Sequence, residues 1–217
     1  MYTPAHFKVE DLAEIHAMMR AFPFALLVTN GAEGLYGTHL PTVLKVDAAS
    51  PLGRIECHVA RPNPHWRGFD KDADALVVFQ GAEAYITPGW YPSKAEHGKA
   101  VPTWNYQAVH AYGRLEVKSE KGDRDWLLAH VSELSNQQEK PFAQPWAVSD
   151  APDSYVDVML RGIVGLSLSI TRLEGKAKMS QNRETRDRVG VVEGLTARAH
   201  GHDAAVVEQV AAKMPPT

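Results

Sequence analysis

The chain has 217 residues, of which 44% are hydrophobic and 23% are charged, and its formal net charge is −3. These values are ordinary for a soluble globular protein, and the length is enough for a core without disulfides. The net negative charge excludes a global positive field, so contact with DNA or an acidic membrane requires a local basic patch. The single cysteine, Cys57, excludes an internal disulfide and is interpreted as a buried small hydrophobe.

The N-terminal residues Met1 to Glu10 contain neither a basic stretch nor an apolar segment of the kind found in signal peptides. No window of the sequence approaches the roughly 18 apolar residues that are needed to cross a bilayer. The sequence therefore predicts a cytoplasmic protein with no membrane partner.

Hydrophobic periodicity divides the chain into helices and strands. In chain order it predicts a helix at 11–20, strands at 24–29, 36–46 and 54–60, a short helix after 64, two apolar strand runs within 75–86, a loop at 88–99, a strand at 104–117, helices at 123–138 and 154–160, a strand at 163–173, and a helical tail at 184–214. Pro41 interrupts the second strand, which we therefore expect at a sheet edge or with a bulge. A structureless loop as long as 88–99 is uncommon, which suggests that this segment is functional.

Six or so strands with few crossover helices favour a mainly antiparallel sheet, and closing it would remove most exposed edges. The predicted fold class is α+β, a mainly antiparallel β-barrel with peripheral helices. We expect one barrel domain with covering helices at 1–175 and a C-terminal loop and helical cap at 176–217 packed on the same domain.

The first functional candidate is the segment 58–66, HVARPNPHW, in which a strand ends, a turn follows and a helix opens. Asn63 is a good helix cap, Pro64 suits the first helical position, and the free N–H groups of a helix start suit a phosphate. Arg61 adds a charged fork for the same anion. The alternative is an ordinary capped helix with a surface arginine.

The second candidate is the segment 38–41, THLP, on the strand that Pro41 interrupts. A bulged strand with polar side chains exposes backbone N–H and C=O groups that match the polar edge of a planar ring. The alternative is a plain edge strand.

The third candidate is the segment 101–106, VPTWNY, where Trp104 and Tyr106 alternate with Thr103 and Asn105. These side chains are suited to stacking on a ring or hydrogen-bonding it. The alternative is a pair of core aromatics with satisfied polar neighbours.

The fourth candidate is the segment 176–183, KAKMSQNR, a basic polar loop between a strand and a helix. It is suited to closing over a phosphate or touching a partner, and the alternative is a solvated loop.

The histidines are scattered and their spacing fits no zinc motif, so no metal site is predicted. His200-Gly201-His202 is interpreted as exposed histidines at a helix break, with metal or haem binding as the alternative. The chain contains no GxSxG, Walker A or GxGxxG motif, so hydrolase, P-loop and Rossmann functions have no support.

Taken in order, the segments at 58–66, 101–106 and 178–183, together with MYTPAHF at 1–7, resemble the PaiB family of FMN-binding negative transcriptional regulators. The resemblance covers almost the whole chain. It implies an FMN-binding split barrel that forms a homodimer with flavin sites at the subunit interface.

For individual residues, the resemblance implies that the strand at 38–42 runs along the flavin ring and that the turn at 60–63 holds the phosphate. No catalytic residue is predicted. The candidate FMN-binding residues are Thr38, His39, Leu40, His58, Ala60, Arg61, Asn63, Trp66, Thr103, Trp104, Asn105, Ser180, Gln181 and Arg183.

The resemblance favours a regulator of transcription, although the sequence supports direct DNA binding only weakly. The segment 184–214 is similar in pattern to a helix-turn-helix with nearby arginines, but it also fits an amphipathic helical cap, which we favour. Two alternatives remain. One is an FMN-dependent oxidoreductase, because flavin itself supplies the chemistry. The other is a haem-binding or haem-degrading protein with His58, His200 and His202 as candidate ligands.

Overall fold

The structure is a computed structural model that describes residues 1–215. Within that range the helices and strands follow one another as β1 (Lys8–Val9), α1 (Leu12–Ala21), β2 (Phe24–Gly31), β3 (Gly34–Pro41), β4 (Val43–Asp47), β5 (Ser50–Ala60), α2 (His65–Gly68), β6 (Ala75–Ile86), α3 (Ser93–His97), β7 (Thr103–Lys118), α4 (Arg124–Glu139), α5 (Asp153–Arg161), β8 (Ile163–Lys178), α6 (Thr185–Arg198) and α7 (Asp203–Ala212). Short 3₁₀ helices lie at Ala5–Phe7, Pro88–Trp90, Lys121–Asp123 and Val148–Asp150.

The strands form one eight-stranded sheet in the order β3-β2-β6-β7-β8-β5-β4, and β1 pairs with β8. The pairs β1–β8, β2–β3, β2–β6, β4–β5 and β5–β8 are antiparallel. The sheet order ends at β3 on one side and at β4 on the other, although these two strands are neighbours in the chain. The predicted fold class, α+β with a mainly antiparallel sheet and peripheral helices, is confirmed.

The chain divides into two compact units. Unit 1 comprises Met1–Met18, Gln80–Val109 and Glu174–Thr217, and unit 2 comprises Met19–Phe79 and His110–Leu173. The strands β6, β7 and β8 each continue from one unit into the other. The organisation into a barrel at 1–175 and a cap at 176–217 stays a prediction.

The core of unit 2 follows from the alternating pattern of its strands, which places every second side chain on one face. Ile55, Cys57 and Val59 of β5 are all buried, as their spacing predicted. Burial raises the pKa of the Cys57 thiol to about 12, so the cysteine stays protonated and behaves as a small hydrophobe.

A break at Thr42 divides the strand that was predicted at 36–46. β3 ends at Pro41 and β4 begins at Val43. Both the backbone N–H and the hydroxyl of Thr42 donate to the carbonyl of Pro23, at 2.9 and 2.8 Å. The chain therefore turns here because Thr42 is hydrogen-bonded to a residue outside the sheet. The position of Pro41 predicted an interruption of this strand but not the contact with Pro23.

The two C-terminal helices contribute to the core of unit 1. Val191 and Leu195 of α6, and Val206 and Val210 of α7, are completely buried. The predicted helical tail with a break near Gly201 is confirmed by the bounds of α6 and α7. A Cβ atom on Gly194 would lie 2.3 Å from ring atoms of Trp90, so α6 approaches Trp90 only because glycine is present.

Two segments of unit 1 differ from the sequence prediction. The expected loop at 88–99 contains a 3₁₀ helix, Pro88–Trp90, and the helix α3. The strand expected to end at 173 continues as β8 to Lys178, because the two-residue strand β1 pairs with it at Gly175 and Lys176. Part of the predicted basic loop is thus strand. No helix within residues 1–215 is long and apolar enough to cross a bilayer.

Candidate functional site

A small pocket in unit 1 collects side chains from two of the predicted segments. It has a volume of about 100 Å³ and lies where β7 begins and β8 ends. Its lining residues are Tyr91, Val101, Pro102, Thr103, Asn105, Lys178, Ser180, Asn182 and Arg183. We call it the anion pocket.

The turn that follows β8 is shaped by two amide side chains. Ser180 has a φ of +60°, which is uncommon for a residue other than glycine. Its hydroxyl is hydrogen-bonded to the buried Asn105 side chain, with Nδ2 3.0 Å and Oδ1 3.2 Å from Oγ. Gln181 accepts from the Met179 N–H and donates to the Ala177 carbonyl, each at 2.6 Å. These contacts hold the turn in a conformation that it would otherwise avoid.

The charge of the anion pocket is positive. The Lys178 ammonium donates to the Trp104 carbonyl at 2.9 Å and to the Thr103 hydroxyl. Burial, and the nearby charges of Lys176 and Arg183, lower the pKa of Lys178. Like charges are therefore crowded here, and an anion would relieve their repulsion.

The phenol of Tyr91 completes the pocket. Its side chain is buried, and its hydroxyl has no acceptor among the described residues. The Arg183 guanidinium carbon lies 4.7 Å from the centre of its ring. Burial raises the pKa of Tyr91, the charge and a hydrogen bond of Arg183 oppose that shift, and the negative charge of Asp187 adds to it. A buried donor without an acceptor beside two cations is the donor set of an anion site.

The predicted phosphate turn of unit 2 uses several of its donors within the protein. Arg61 Nε donates to the Arg161 carbonyl at 2.7 Å and Nη2 donates to the Ile163 carbonyl at 2.8 Å. The Arg61 N–H donates to Gly162 O at 2.8 Å, and the Asn63 N–H donates to Ala60 O at 2.8 Å. Arg61 thus ties the turn to the start of β8.

The helix after this turn is a single turn long. α2 contains only four residues, and the Asn63 side chain accepts from the His65 N–H at 2.9 Å. The Trp66 indole N–H donates to the Arg61 carbonyl at 3.0 Å. The N–H groups expected to face a phosphate are therefore partly satisfied by Asn63.

An open cleft of about 550 Å³ lies beside Arg61 in unit 2. Its lining includes three arginines, Arg61, Arg124 and Arg161, and two acids, Glu120 and Asp157. Arg124 Nη2 donates to Asp157 at 2.6 Å. The positive charges of this cleft are therefore largely balanced by its two acids, in contrast to those of the anion pocket.

A polar cluster stands between β3 and α2 in unit 2. His65 is buried and its two ring nitrogens lie 2.8 Å from the Thr29 hydroxyl and 2.7 Å from the Thr38 hydroxyl. Burial lowers the pKa of His65, so the ring is neutral and carries one N–H. It donates to one threonine and accepts from the other. The threonine that accepts keeps its own hydroxyl hydrogen for a further partner. His65 and Thr29 also line a pocket of about 290 Å³ with Tyr36.

The strand β3 also carries His39 and Leu40. Leu40 belongs to the core, whereas His39 is exposed and stacks on Phe24 with ring centres 6.2 Å apart. β3 is a terminal strand of the sheet order, and within residues 1–215 the strand that pairs with it is β2. About half of its backbone N–H and C=O groups therefore point away from β2, which is what the polar edge of a planar ring requires.

The other predicted residues have separate surroundings. His58 Nδ1 lies 3.0 Å from His130 Nε2 within unit 2. Trp104 is 53% exposed and contacts Tyr85 edge-on at 5.9 Å in unit 1. No group of three or more His, Cys, Asp or Glu side chains in the described part of the chain could hold a metal ion.

Three residues of these sites were not predicted. Lys178 and His65 lie inside segments that had been singled out, so the motifs themselves were the available signal. Tyr91 lies in the segment 88–99, whose length indicated function without indicating which side chain would be buried. Burial and the missing acceptor are properties of the folded chain.

Comparison with known proteins decides the family. Residues 1–172 match the family model described as "Putative FMN-binding domain". The Bacillus subtilis protease synthase and sporulation protein PAI 2 is 34% identical over 195 residues, which cover 90% of this chain and 89% of that protein. The chain belongs to the PaiB family. Its resemblance to that family is thereby confirmed.

Solved structures support the fold. A conserved hypothetical protein of Mycobacterium tuberculosis has a TM-score of 0.57 at 15% identity and covers 85% of this chain and 94% of its own. An FAD- and haem-binding protein of Mycobacterium smegmatis has a TM-score of 0.53 at 12% identity. The match covers 79% of this chain and 73% of that protein. At these identities the likeness shows the fold alone, which is a split barrel.

FMN is the cofactor of this family, and the residues present fit it. The phosphate monoester needs several donors and positive charge, which the anion pocket offers through Tyr91, Lys178 and Arg183. The polar edge of the flavin ring needs free backbone groups, which the outer edge of β3 offers. Each unit, taken by itself, therefore contains a donor set of the required chemistry.

Proposed function

We propose that this chain is an FMN-binding regulator that acts as a homodimer and holds the flavin phosphate in the anion pocket of unit 1. The observation that carries the proposal is the buried Tyr91 hydroxyl, which has no acceptor among the described residues and lies beside Arg183. A phosphate oxygen would accept from both groups, and it would also offset the charge on Lys178.

In this proposal the residues of the pocket have two kinds of role. Tyr91, Lys178 and Arg183 bind the phosphate. Asn105 and Gln181 maintain the turn around Ser180 by the hydrogen bonds described above. When bound, the flavin supplies redox chemistry, and the protein supplies binding and orientation.

In unit 2, the roles of the predicted β3 residues in binding FMN stay predictions. Thr38, His39 and Leu40 present the outer edge of β3, and the neutral His65 orients the Thr38 hydroxyl. The roles of His58, Ala60, Arg61, Asn63 and Trp66 in binding FMN stay predictions, and Arg61 is proposed to act by holding the turn.

The binding experiment compares FMN with riboflavin, which lacks the phosphate. We expect the wild type to prefer FMN, and Arg183→Ala to lose about 10- to 100-fold in FMN affinity with little change for riboflavin, the usual effect of a charge-assisted hydrogen bond. Arg186→Ala is the matched control, because Arg186 is an exposed arginine of the same unit that pairs with Glu96. Equal affinity of the wild type for the two flavins, or an equal loss in the control, would place the phosphate elsewhere.

Exposed apolar side chains on the β2–β3 hairpin support the homodimer. Phe24 is 66% exposed and Leu35 is 80% exposed, next to the unpaired edge of β3. We expect Leu35→Glu to convert the dimer to a monomer in light scattering after size exclusion. Phe142→Glu, at another exposed apolar residue of unit 2, is the control and should leave the mass unchanged. A monomeric wild type would contradict the proposal.

The regulatory role rests on the family and on the name of the Bacillus subtilis relative, a sporulation protein. The C-terminal helices offer few free arginines for DNA. Arg186 pairs with Glu96, Arg198 pairs with Asp203, and Arg188 donates to the Lys213 carbonyl. We therefore propose that the flavin state controls the regulator through the dimer, and that a cytoplasmic location goes with this role. Sequence-selective binding to DNA upstream of its own gene, measured with and without FMN, tests whether DNA is the direct target.

A further inference from the structure

A second pocket of unit 2 is apolar and separate from the polar cluster on β3. It has a volume of about 280 Å³ and lies among α4, α5, the 3₁₀ helix Val148–Asp150 and the ends of β5 and β8. Its walls include Val131, Trp146, Tyr155, Val156, Met159 and Ile163, and its polar lining includes His58 and Ser135. We call it the His58 pocket.

The rim of the His58 pocket exposes large apolar side chains. Trp146 is 46% exposed, Tyr155 is 57% exposed and Met159 is 48% exposed. Such residues normally bury their surface, and a cluster of them around a concavity marks a ligand-binding groove. The volume suits a small molecule of two fused rings rather than a peptide or a large cofactor.

The His58 ring is fixed in position by a second histidine. Its Nδ1 lies 3.0 Å from Nε2 of His130, and the His130 ring stacks on Trp126 with ring centres 5.4 Å apart. A Cβ atom on Gly165 would lie 2.2 Å from Trp126, so a glycine makes room for this stack. His58 therefore cannot turn freely, and a ligand would meet a preorganised ring.

The hydrogen-bond pattern assigns the protons of the pair. His130 is 1% exposed, and its Nδ1 has no partner among the described residues. A buried N–H without an acceptor is rarer than a buried acceptor without a donor, so the proton of His130 belongs on Nε2. It is donated to His58 Nδ1, which leaves the proton of His58 on Nε2. Burial lowers the pKa of both histidines, that of His130 to about 3, so both rings are neutral near pH 7.

We propose that the His58 pocket binds a neutral, planar, bicyclic aromatic molecule whose ring nitrogen or oxygen accepts a hydrogen bond from His58 Nε2. The aromatic and thioether side chains of the rim contact the ring faces. A regulator with this pocket would respond to an aromatic metabolite at a site other than the one that we propose for FMN.

The test uses two probes of the same shape, quinoline and naphthalene, because only quinoline carries an acceptor. Binding is followed by amide chemical shifts in two-dimensional NMR. We expect both probes to shift residues around the pocket and quinoline to bind about 3- to 10-fold more tightly, the usual effect of one hydrogen bond. In His58→Leu the two affinities should become equal, with naphthalene little changed.

A second variant fills the pocket without removing the histidine. Ala151 lines it at the end of the 3₁₀ helix, so Ala151→Trp should abolish binding of both probes and leave FMN affinity within about twofold of the wild type. Absence of saturable binding of either probe to the wild type would overturn the proposal. It would also be overturned if the quinoline preference persisted in His58→Leu, or if Ala151→Trp lost FMN as well.

Discussion

Two turns of this chain each follow a strand, carry an arginine and lead into a helix: residues 61–64 before α2 and residues 179–184 before α6. In the first, Arg61 donates twice to backbone carbonyls at the start of β8. In the second, Lys178 and Arg183 stand beside a buried hydroxyl that has no acceptor in the described chain. The first turn is stabilised by its arginine, whereas the second is left with donors for a ligand.

The difference teaches that positive charge alone does not identify a phosphate site. What matters is whether a buried donor is left without an acceptor after the protein has satisfied its own carbonyls, because such a donor gains most from a new acceptor. By this measure the second turn is the better anion site, although the first contains the stronger sequence motif.

The largest expected effect is a difference in the free energy of unfolding between variants of Arg61 and Arg183. Arg61→Ala removes two hydrogen bonds to carbonyls and should lower the free energy of unfolding of the apoprotein by about 1–2 kcal/mol. Arg183→Ala should lower it by less, about 0.5–1 kcal/mol, because the contact that the side chain loses is with Tyr91. Chemical denaturation of both variants without flavin checks this, and the reverse ranking would break the comparison.

The two turns also differ in backbone strain. Ser180 has a φ of +60°, whereas residues 61–64 include no positive φ. Ser180→Ala keeps the strain and loses the hydrogen bond to Asn105, and Ser180→Gly loses the bond but relieves the strain. We expect the glycine variant to be more stable than the alanine variant by about 1 kcal/mol. Equal denaturation midpoints at unchanged slopes would show that the turn is not strained.

Removing the Tyr91 hydroxyl tests the unsatisfied donor directly. Tyr91→Phe should weaken FMN binding by about 10-fold while leaving riboflavin binding unchanged, because one hydrogen bond to the charged phosphate is lost. The apoprotein should be no less stable than the wild type, since the hydroxyl has no acceptor there. A loss of apoprotein stability would mean that the hydroxyl is already bonded.

The smallest expected effect is a change of FMN affinity with pH. Burial lowers the pKa of Lys178 below the ordinary lysine value of about 10.4, so this side chain loses its proton at a lower pH than other lysines. FMN affinity should therefore fall a few-fold as the pH rises above neutrality towards that value, while riboflavin affinity stays level. Lys178→Arg should flatten the FMN profile, because arginine keeps its charge. A profile that is unchanged by this substitution would remove Lys178 from the site.

Much of the secondary structure could be predicted from the sequence because its signals are local. The helical spacing at 11–20 corresponds to α1, and the alternation at 54–60 corresponds to the C-terminal part of β5. The helical tail and its break at Gly201 are α6 and α7. The missed features depend on partners far along the chain: β8 is longer because β1 pairs with it, and the strand at 36–46 divides because Thr42 bonds to Pro23.

By itself, the sequence determined the family, the class of fold and four segments of candidate residues, since motif order and hydrophobic period are properties of the linear chain. Only the tertiary structure decided which candidates have free donors. Arg61 bonds to a carbonyl 102 residues away, Asn105 supports Ser180 across 75 residues, and His58 meets His130 across 72. Such contacts leave no local pattern, because a hydrogen bond depends on distance in space and not on separation in sequence.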